Sequence, residues 1–233
     1  MHDQLTRVFA LRHAETAWNV DARIQGQLDV PLNERGHWQA ARLAEALADE
    51  DIAAIYTSDL QRAHATASRV GERLGLPVVT DPRLRERHFG CFQGLTHGEI
   101  AERWPEHSRR WREREPGFGP EGGETLEVFH DRCVEAARAL ASRWPGRSVV
   151  LMAHGGVLDC LYRAAMGLDI SAPRTWTIGN ASINRLLHTP QGLTMLNWAD
   201  TRHLEEAQEP VRDEHADGGT VWDVVLKPAG GAA

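Results

Sequence analysis

Apolar residues along the chain follow two patterns, short uninterrupted runs typical of buried strands and longer stretches with helical spacing. The runs predict strands over residues 5–10, 52–56, 78–80 and 148–153, and the spacing predicts helices over 36–47, 60–74, 124–143 and 157–166. Strands that alternate with helices are typical of a mostly parallel sheet covered on both faces. The chain is therefore predicted to be an α/β protein, a three-layer α/β/α sandwich with a doubly wound sheet.

Two local signals add detail to this pattern. Ser58 is followed three residues later by Gln61, which is the spacing of a capping box, so Ser58 is predicted to be the N-cap of the helix at 60–74. Two further strands, over 183–188 and 193–198, are separated by Pro190-Gln-Gly192. This arrangement predicts a hairpin near the end of the sheet.

The domain organisation is interpreted as one domain over residues 1–204 and a tail over 205–233. Residues 81–123 are dense in Arg, Glu, Trp, Pro and Gly and show no long periodicity apart from a helix near 99–104. They are interpreted as an insertion over the carboxyl edge of the sheet, either a lid over a substrate or a solvated excursion without a role. The tail begins with an acidic stretch, and residues 221–226 could add an edge strand.

Composition narrows the class of partner. The chain carries a formal net charge of -7 and has no apolar run near the ~20 residues that a membrane span needs. Nucleic acid and anionic membranes are not expected partners, because both require a basic face. Three cysteines without CxxC spacing are expected to serve packing, and the cytoplasm is the expected location.

Lysine is nearly absent. The only lysine is Lys227, although lysine and arginine together number 26. A P-loop lysine, a Schiff-base lysine and a kinase lysine are therefore not expected in the domain. Any anion bound there must be bound by arginine or histidine.

Arginine and histidine are found where predicted parallel strands end. Arg12-His13 follows the first strand, Ser58–Arg62 follows the second, and His154-Gly-Gly156 follows the strand at 148–153. Because the carboxyl ends of parallel strands share one edge of a sheet, these groups are expected to converge there, beside two helix N-termini. Such a pocket suits a dianionic phosphoryl group.

The chemistry of such a pocket follows from the residue types. The sequence has no Walker motif, no acidic cluster with metal spacing and no Ser-His-Asp elbow, so an imidazole is the candidate nucleophile and no metal or cofactor is expected. Arginines would stabilise charge on the equatorial oxygens, and a carboxylic acid would protonate the leaving alkoxide. The expected ligand is a small phosphorylated metabolite.

The segment LRHAETAWN, residues 11–19, resembles the signature Arg-His-Gly-Glu-Thr-x-x-Asn of the histidine phosphatase superfamily, the phosphoglycerate-mutase-like proteins. Ala14 replaces the usual glycine, which matters only if the backbone there has a positive φ. Further matches follow in order to about residue 200, namely Arg23-Ile-Gln-Gly26, Asp29-Val-Pro-Leu32, Ser58-Asp-Leu-Gln-Arg-Ala63, Leu84-Arg-Glu86 with Gly90, Gln93-Gly-Leu95 and Ala153-His-Gly-Gly156.

The resemblance implies roles for individual residues. His13 would form a phosphohistidine, and Glu86 would be the proton donor and then the base for water. From its position alone, Glu86 could equally belong to a charged surface run. The residues implied to hold the phosphoryl group or approach the substrate are Arg12, Arg62, His154, Asn19, Gln25, Gly26 and Gly155.

Three functions stay open at this point. A phosphomonoester hydrolase is preferred over a cofactor-dependent phosphoglycerate mutase, because Phe89, His97 and Gly156 depart from the mutase pattern. A non-catalytic phospho-ligand-binding protein is the third. Arg109, Arg110, Arg112 and Arg114 are either a grip for a substrate carboxylate or the outer face of a helix. The alcohol part of the substrate is not readable, and a homodimer is the expected oligomeric state.

Overall fold

The computed structural model describes residues 5–205. Its centre is a six-stranded sheet with the order β3-β2-β4-β1-β5-β6. Among the described residues no helix is long and apolar enough to cross a bilayer. The strands are β1 (Thr6–Arg12), β2 (Ile52–Thr57), β3 (Val78–Thr80), β4 (Ser148–Ala153), β5 (Ile183–Thr189) and β6 (Gly192–Asp200).

Seven helices surround the sheet among the described residues. Each predicted helix is present, and each observed bound lies within two residues of the predicted one. They are α1 (Ala17–Val20), α2 (Glu34–Ala46), α3 (Gln61–Leu74), α4 (His97–Arg103), α5 (Pro105–Arg112), α6 (Leu126–Ala141) and α7 (Gly155–Met166).

The pairing of the strands explains their sequence patterns. β4 is parallel to both β1 and β2, and all six of its residues are buried, as its uninterrupted apolar run requires. β5 and β6 form the predicted antiparallel hairpin and pair with the rest of the sheet through β1. The carboxyl ends of β1, β2, β3 and β4 therefore share one edge.

Two apolar cores cover the two faces of the sheet. One contains the inward side of α6 and α7, and the other contains that of α2 and α3. These layers confirm the predicted α/β/α sandwich. The division into a domain and a tail stays a prediction, and the proposed edge strand at 221–226 lies outside the described residues.

The insertion contains more structure than its sequence indicates. It holds α4, where a helix was predicted, and also α5, which the sequence pattern did not indicate. A third, smaller apolar cluster consists of Phe89, Phe92, Ile100 and Phe118 of the insertion together with Ile24. Packing among aromatic side chains, rather than a periodic stripe, therefore organises this segment.

The predicted N-cap of the helix at 60–74, Ser58, is wrong. Its N-cap is Leu60, which has no side-chain cap bond, while the Ser58 hydroxyl accepts only from the Leu60 N–H at 3.2 Å. Ser58 still belongs to the sheet edge, because its N–H donates to the Met152 carbonyl at 3.0 Å. The capping oxygen comes instead from Asp29, which accepts from the Gln61 N–H at 2.6 Å.

Candidate active site

Two histidines lie side by side where β1 and β4 end. The register pairs Arg12 with Ala153, and the His13 N–H donates to the Ala153 carbonyl at 2.9 Å. The residues that follow the two strands, His13 and His154, therefore lie next to each other. The rings of His13 and His154 are both buried, and their centroids are 5.1 Å apart.

The His13 ring is held in one orientation by the adjacent backbone. Its Nδ1 is 2.7 Å from the Ala14 carbonyl oxygen, and because a carbonyl can only accept, Nδ1 carries the proton. In the neutral imidazole, Nε2 is then the ring nitrogen whose lone pair can act as a nucleophile. Ala14 does not have a positive φ, and its N–H donates to the Thr66 hydroxyl at 3.1 Å. The methyl group that replaces the usual glycine hydrogen is therefore accommodated without backbone strain.

Arg62 is fixed by two carbonyl groups. It lies in the first turn of α3 and donates to the Leu28 carbonyl at 2.9 Å and to the Gly26 carbonyl at 2.7 Å. Gly26 has a φ of 53°, and a Cβ there would lie 2.2 Å from Gln93 Oε1. Only glycine fits at position 26, and the loop that it allows presents the carbonyl that orients the Arg62 guanidinium.

Arg12 and α7 add further positive potential to the same edge. The Arg12 side chain is fully buried and donates to the Ile178 carbonyl at 2.6 Å. His154 is the N-cap of α7, and Gly155 is its first residue. A helix N-terminus favours anions, and so do guanidinium groups held in place by carbonyls.

Asn19 is oriented by a residue that sequence reasoning did not assign to the site. Its Oδ1 accepts from Thr16 and from Asn180 Nδ2, which also donates to the His13 carbonyl at 3.1 Å. The Asn19 oxygen is therefore engaged as an acceptor. Asn19 Nδ2 is buried and has no hydrogen-bond partner among the described residues, so it is left as a donor. The only signal for Asn180 in the sequence is the segment Gly179-Asn-Ala-Ser182, which resembles the phosphatase branches of the histidine phosphatase superfamily.

The Glu86 carboxyl group is buried at the start of α7 rather than exposed on a charged surface. Its two oxygens accept from the Arg87 N–H at 2.8 Å and from the Gly156 N–H at 2.9 Å. A Cβ on Gly156 would lie 2.3 Å from Glu86 Oε1. The carboxyl group can therefore approach the start of α7 only because residue 156 is glycine.

The backbone of Glu86 is held by side chains that sequence reasoning missed. Arg132 donates to the carbonyls of Arg83, Arg85 and Glu86 at 2.8 to 3.3 Å, and Gln27 donates to the Glu86 carbonyl at 3.1 Å. Arg132 lies on α6, so its contact with this segment depends on helix packing. No periodic pattern in the sequence indicates such a contact.

A cleft of about 570 Å³, including its open mouth, adjoins the histidine pocket. We call it the side cleft. The arginines of the insertion differ in their relation to this cleft. Arg109 is 48% exposed and pairs with Glu106 and Glu113, whereas Arg114 is 8% exposed and lines the cleft. The lining consists of Ile24, Gln25, Arg87, Phe89, Trp111, Arg114, Leu126, Phe129, Gly156, Asp159, Cys160 and Arg174.

The geometry defines a class of protein. An α/β sandwich presents two adjacent histidines, two buried arginines and a helix N-terminus at the carboxyl edge of its parallel strands, beside a buried carboxyl group. The described residues contain no cluster of three or more His, Cys, Asp or Glu side chains placed to hold a metal ion. The site has the residue types for phosphoryl transfer to and from an imidazole.

Comparison with known families agrees with this class. The profile of the histidine phosphatase superfamily (branch 1) matches residues 8–201. The chain belongs to this superfamily.

Several relatives carry phosphatase names. Glucosyl-3-phosphoglycerate phosphatase of Mycobacterium tuberculosis is 42% identical over 189 residues, 77% of this chain and 84% of that protein. The metal-independent phosphoserine phosphatase of Arabidopsis thaliana is 36% identical over 208 residues, 88% of this chain and 85% of that protein. The solved mycobacterial glucosyl-3-phosphoglycerate phosphatase with VO3 has a TM-score of 0.76 and 37% identity, covering 84% of this chain and 99% of that one.

Mutase names occur among the relatives as well. Phosphoglycerate mutase-like protein 4 of Arabidopsis thaliana is 39% identical over 203 residues, 85% of this chain and 87% of that protein. Together, membership of the superfamily and the named phosphatases support a phosphatase enzyme. The mutase alternative is less supported.

Proposed function

We propose that the protein is a metal-independent phosphomonoester hydrolase that acts on a small phosphorylated metabolite through a phosphohistidine intermediate. The pair of adjacent histidines, with Nδ1 of His13 bound to a carbonyl, supports this proposal most directly. Nε2 of His13 attacks phosphorus, and the bond to the leaving oxygen breaks. Arg12, Arg62 and His154 hold the phosphoryl oxygens, and Asn19 Nδ2 donates to one of them.

Glu86 transfers the proton at each step. As the first bond breaks, the Glu86 carboxyl group gives its proton to the leaving alkoxide. The resulting carboxylate then takes a proton from water, which attacks the phosphohistidine and releases inorganic phosphate. The contact between Glu86 and Gly156 supports this role, because it places the carboxyl group next to the residue that follows His154-Gly155. Gly26 orients Arg62 through its carbonyl, and Gln25 approaches the substrate.

The intermediate provides the decisive experiment. Turnover of a phosphate ester is quenched at short times, and the protein is digested under alkaline conditions that preserve phosphohistidine. We expect an acid-labile phosphoryl group on the peptide that contains His13. Its absence under conditions of steady turnover would contradict the proposed route.

The mutase and the binder are tested in the same preparation. Supplied with 3-phosphoglycerate and 2,3-bisphosphoglycerate, the protein should release inorganic phosphate and form little 2-phosphoglycerate. Predominant isomer formation would support the mutase, and no turnover of any ester would support the non-catalytic binder. A cytoplasmic location and a homodimer stay predictions from the sequence.

A further inference from the structure

The segment that carries Glu86 has no regular secondary structure to hold it. Residues 85–89 lie between two short 3₁₀ turns, Pro82–Leu84 and Gly90–Phe92, and belong neither to the sheet nor to a helix. The backbone carbonyls of such a segment need partners from elsewhere in the protein, because a buried carbonyl without one is costly. The placement of the Glu86 carboxyl group therefore depends on the groups that bind this backbone.

Arg132 of α6 binds three carbonyls in and just before this segment. Its Nη1 donates to the carbonyls of Arg83 and Arg85 at 2.8 and 2.9 Å, and its Nη2 donates to that of Glu86 at 3.3 Å. The Arg132 side chain is 20% exposed, so water competes little for these bonds. A guanidinium presents several N–H donors in one rigid plane, which the ammonium of a lysine does not. Arg132 therefore fixes the main chain up to and including Glu86.

Glu124 binds both Arg132 and the far side of the segment. Its two carboxylate oxygens accept from Arg132 Nε and Nη2, each at 2.8 Å, in the bidentate geometry that fixes both partners. One of these oxygens also accepts from the His88 N–H at 2.8 Å, and the Glu124 N–H donates to the His88 carbonyl at 2.8 Å. The Glu124–Arg132 pair therefore holds the main chain on both sides of Glu86.

The orientation of the Glu86 carboxyl group depends on this main chain. Its two oxygens accept from the N–H groups of Arg87 and Gly156. The first donor belongs to the held segment and the second to α7, so a shift of the segment moves one donor relative to the other. A displacement of about 1 Å at a reacting group can lower a rate by about 10²-fold. The Glu124–Arg132 pair is thus placed to control the acid.

We propose that the Glu124–Arg132 pair positions the general acid, because it fixes the main chain that carries Glu86 and so keeps the carboxyl group within reach of the leaving oxygen. The inference rests on the proposed function, in which Glu86 gives a proton to the leaving oxygen and later takes one from water. Both residues act through Glu86 and are positioning residues. Gln27 also donates to the Glu86 carbonyl at 3.1 Å, so loss of Arg132 displaces the segment without releasing it.

Two esters of similar size test the proposal. Benzyl phosphate leaves as a basic alkoxide that needs a proton, whereas p-nitrophenolate needs little protonation. In Arg132→Gln, kcat/KM should fall about 10²-fold for benzyl phosphate and by less than about threefold for p-nitrophenyl phosphate. Because kcat/KM reports only the steps up to formation of the phosphohistidine, the later role of Glu86 as a base does not enter. Equal losses for the two esters would overturn the positioning role.

The second half of the reaction gives an independent signature. A displaced Glu86 activates water poorly, so Arg132→Gln should lower kcat for p-nitrophenyl phosphate by about tenfold or more and lower KM with it. Phosphohistidine should then accumulate during turnover, and p-nitrophenolate should appear in a burst before the steady state. An unchanged kcat without a burst would contradict the proposal. A residue that served stability alone would change the free energy of unfolding without this split between kcat and KM.

The matched control is Arg138→Gln, which removes an exposed arginine of the same helix, α6. Both values of kcat/KM should stay unchanged in this control, and a selective loss for benzyl phosphate there would contradict the assignment to Arg132. Arg132→Lys keeps the charge but not the planar donors, so it should restore only part of the loss.

Glu124→Gln provides a second route to the same test if Arg132→Gln does not fold. It keeps the shape of the side chain and removes its charge, and it should show the same selective loss for benzyl phosphate. If the two residues act as one unit, the double variant should lose less than the sum of the single losses, expressed as free energies. Additive losses would show separate roles and would overturn the pair.

Trapping in the unaltered protein separates this inference from the proposed function. If phosphohistidine forms there but the variants lose both esters equally, only the positioning role fails. If no phosphohistidine forms while the variants lose benzyl phosphate selectively, the pair still positions the group that protonates the leaving oxygen, and only the covalent route fails.

Discussion

The histidine pocket and the side cleft lie next to each other but are held together in different ways. In the pocket, His13, Arg12 and Arg62 are oriented by backbone carbonyls at or near strand ends. In the cleft, Arg114 and Arg174 donate to the carbonyls of Ile170 and Trp176, and both also face the carboxylate of Asp159. The pocket is therefore built where strands of the sheet end, whereas the cleft arginines come from the insertion and from the segment between α7 and β5 and share a carboxylate of α7.

The largest expected effect tests the pocket itself. His13→Ala removes the nucleophile, so kcat for p-nitrophenyl phosphate should fall by about 10⁴-fold or more. The control is His64→Ala, a solvent-exposed histidine of α3 whose loss should leave kcat unchanged. Retention of a tenth of the activity in His13→Ala would mean that another group attacks phosphorus.

The second test uses the contact between Glu86 and α7. Gly156→Ala adds a Cβ 2.3 Å from Glu86 Oε1, so the carboxyl group must move and kcat should fall by about 10²-fold for an alkyl phosphate. The loss should be smaller for p-nitrophenyl phosphate, whose leaving group needs little protonation. Gly98→Ala, where the nearest atom is 3.9 Å away, is the control. Equal losses for both esters would point to a general distortion instead.

The third test concerns positioning within the pocket. Asn180→Ala removes the donors to the His13 carbonyl and to Asn19, and kcat/KM should fall about tenfold. If Asn180 acts through Asn19, the double variant with Asn19→Ala should lose less than the sum of the two single losses. Additive losses would show independent roles. Asn197→Ala, an exposed asparagine of β6, is the matched control.

The smallest expected effect concerns Ala14. This residue has no positive φ, and its methyl group is packed in the core between the sheet, α2 and α3. Ala14→Gly should therefore leave kcat/KM within about twofold and lower the free energy of unfolding by about 1 to 2 kcal/mol, through the lost methyl group and the more flexible unfolded chain. Urea denaturation measures the second quantity. A marked rise in activity would show that the methyl group obstructs the site.

The cleft residues were the least readable part of the sequence. Arg109, Arg110 and Arg114 lie within six positions of one another, yet two pair with glutamates in solvent and one is buried beside Asp159. Apolar periodicity assigns faces only to regular elements, and the insertion is organised by aromatic packing and by four residues with positive φ, Arg114 among them. The sequence could therefore name these arginines as candidates but could not separate them.

The local sequence pattern was enough to predict the sheet and the proximity of His13 and His154. Strand runs and helix spacing are local properties, and parallel strands bring their carboxyl ends to one edge whatever their loops do. Contacts between distant segments needed the tertiary structure, as with Glu86 on Gly156, Asn180 on Asn19, and Asp29 at the start of α3. These contacts join residues 32 to 161 positions apart, and only the packing of helices and loops on the sheet decides which of them meet.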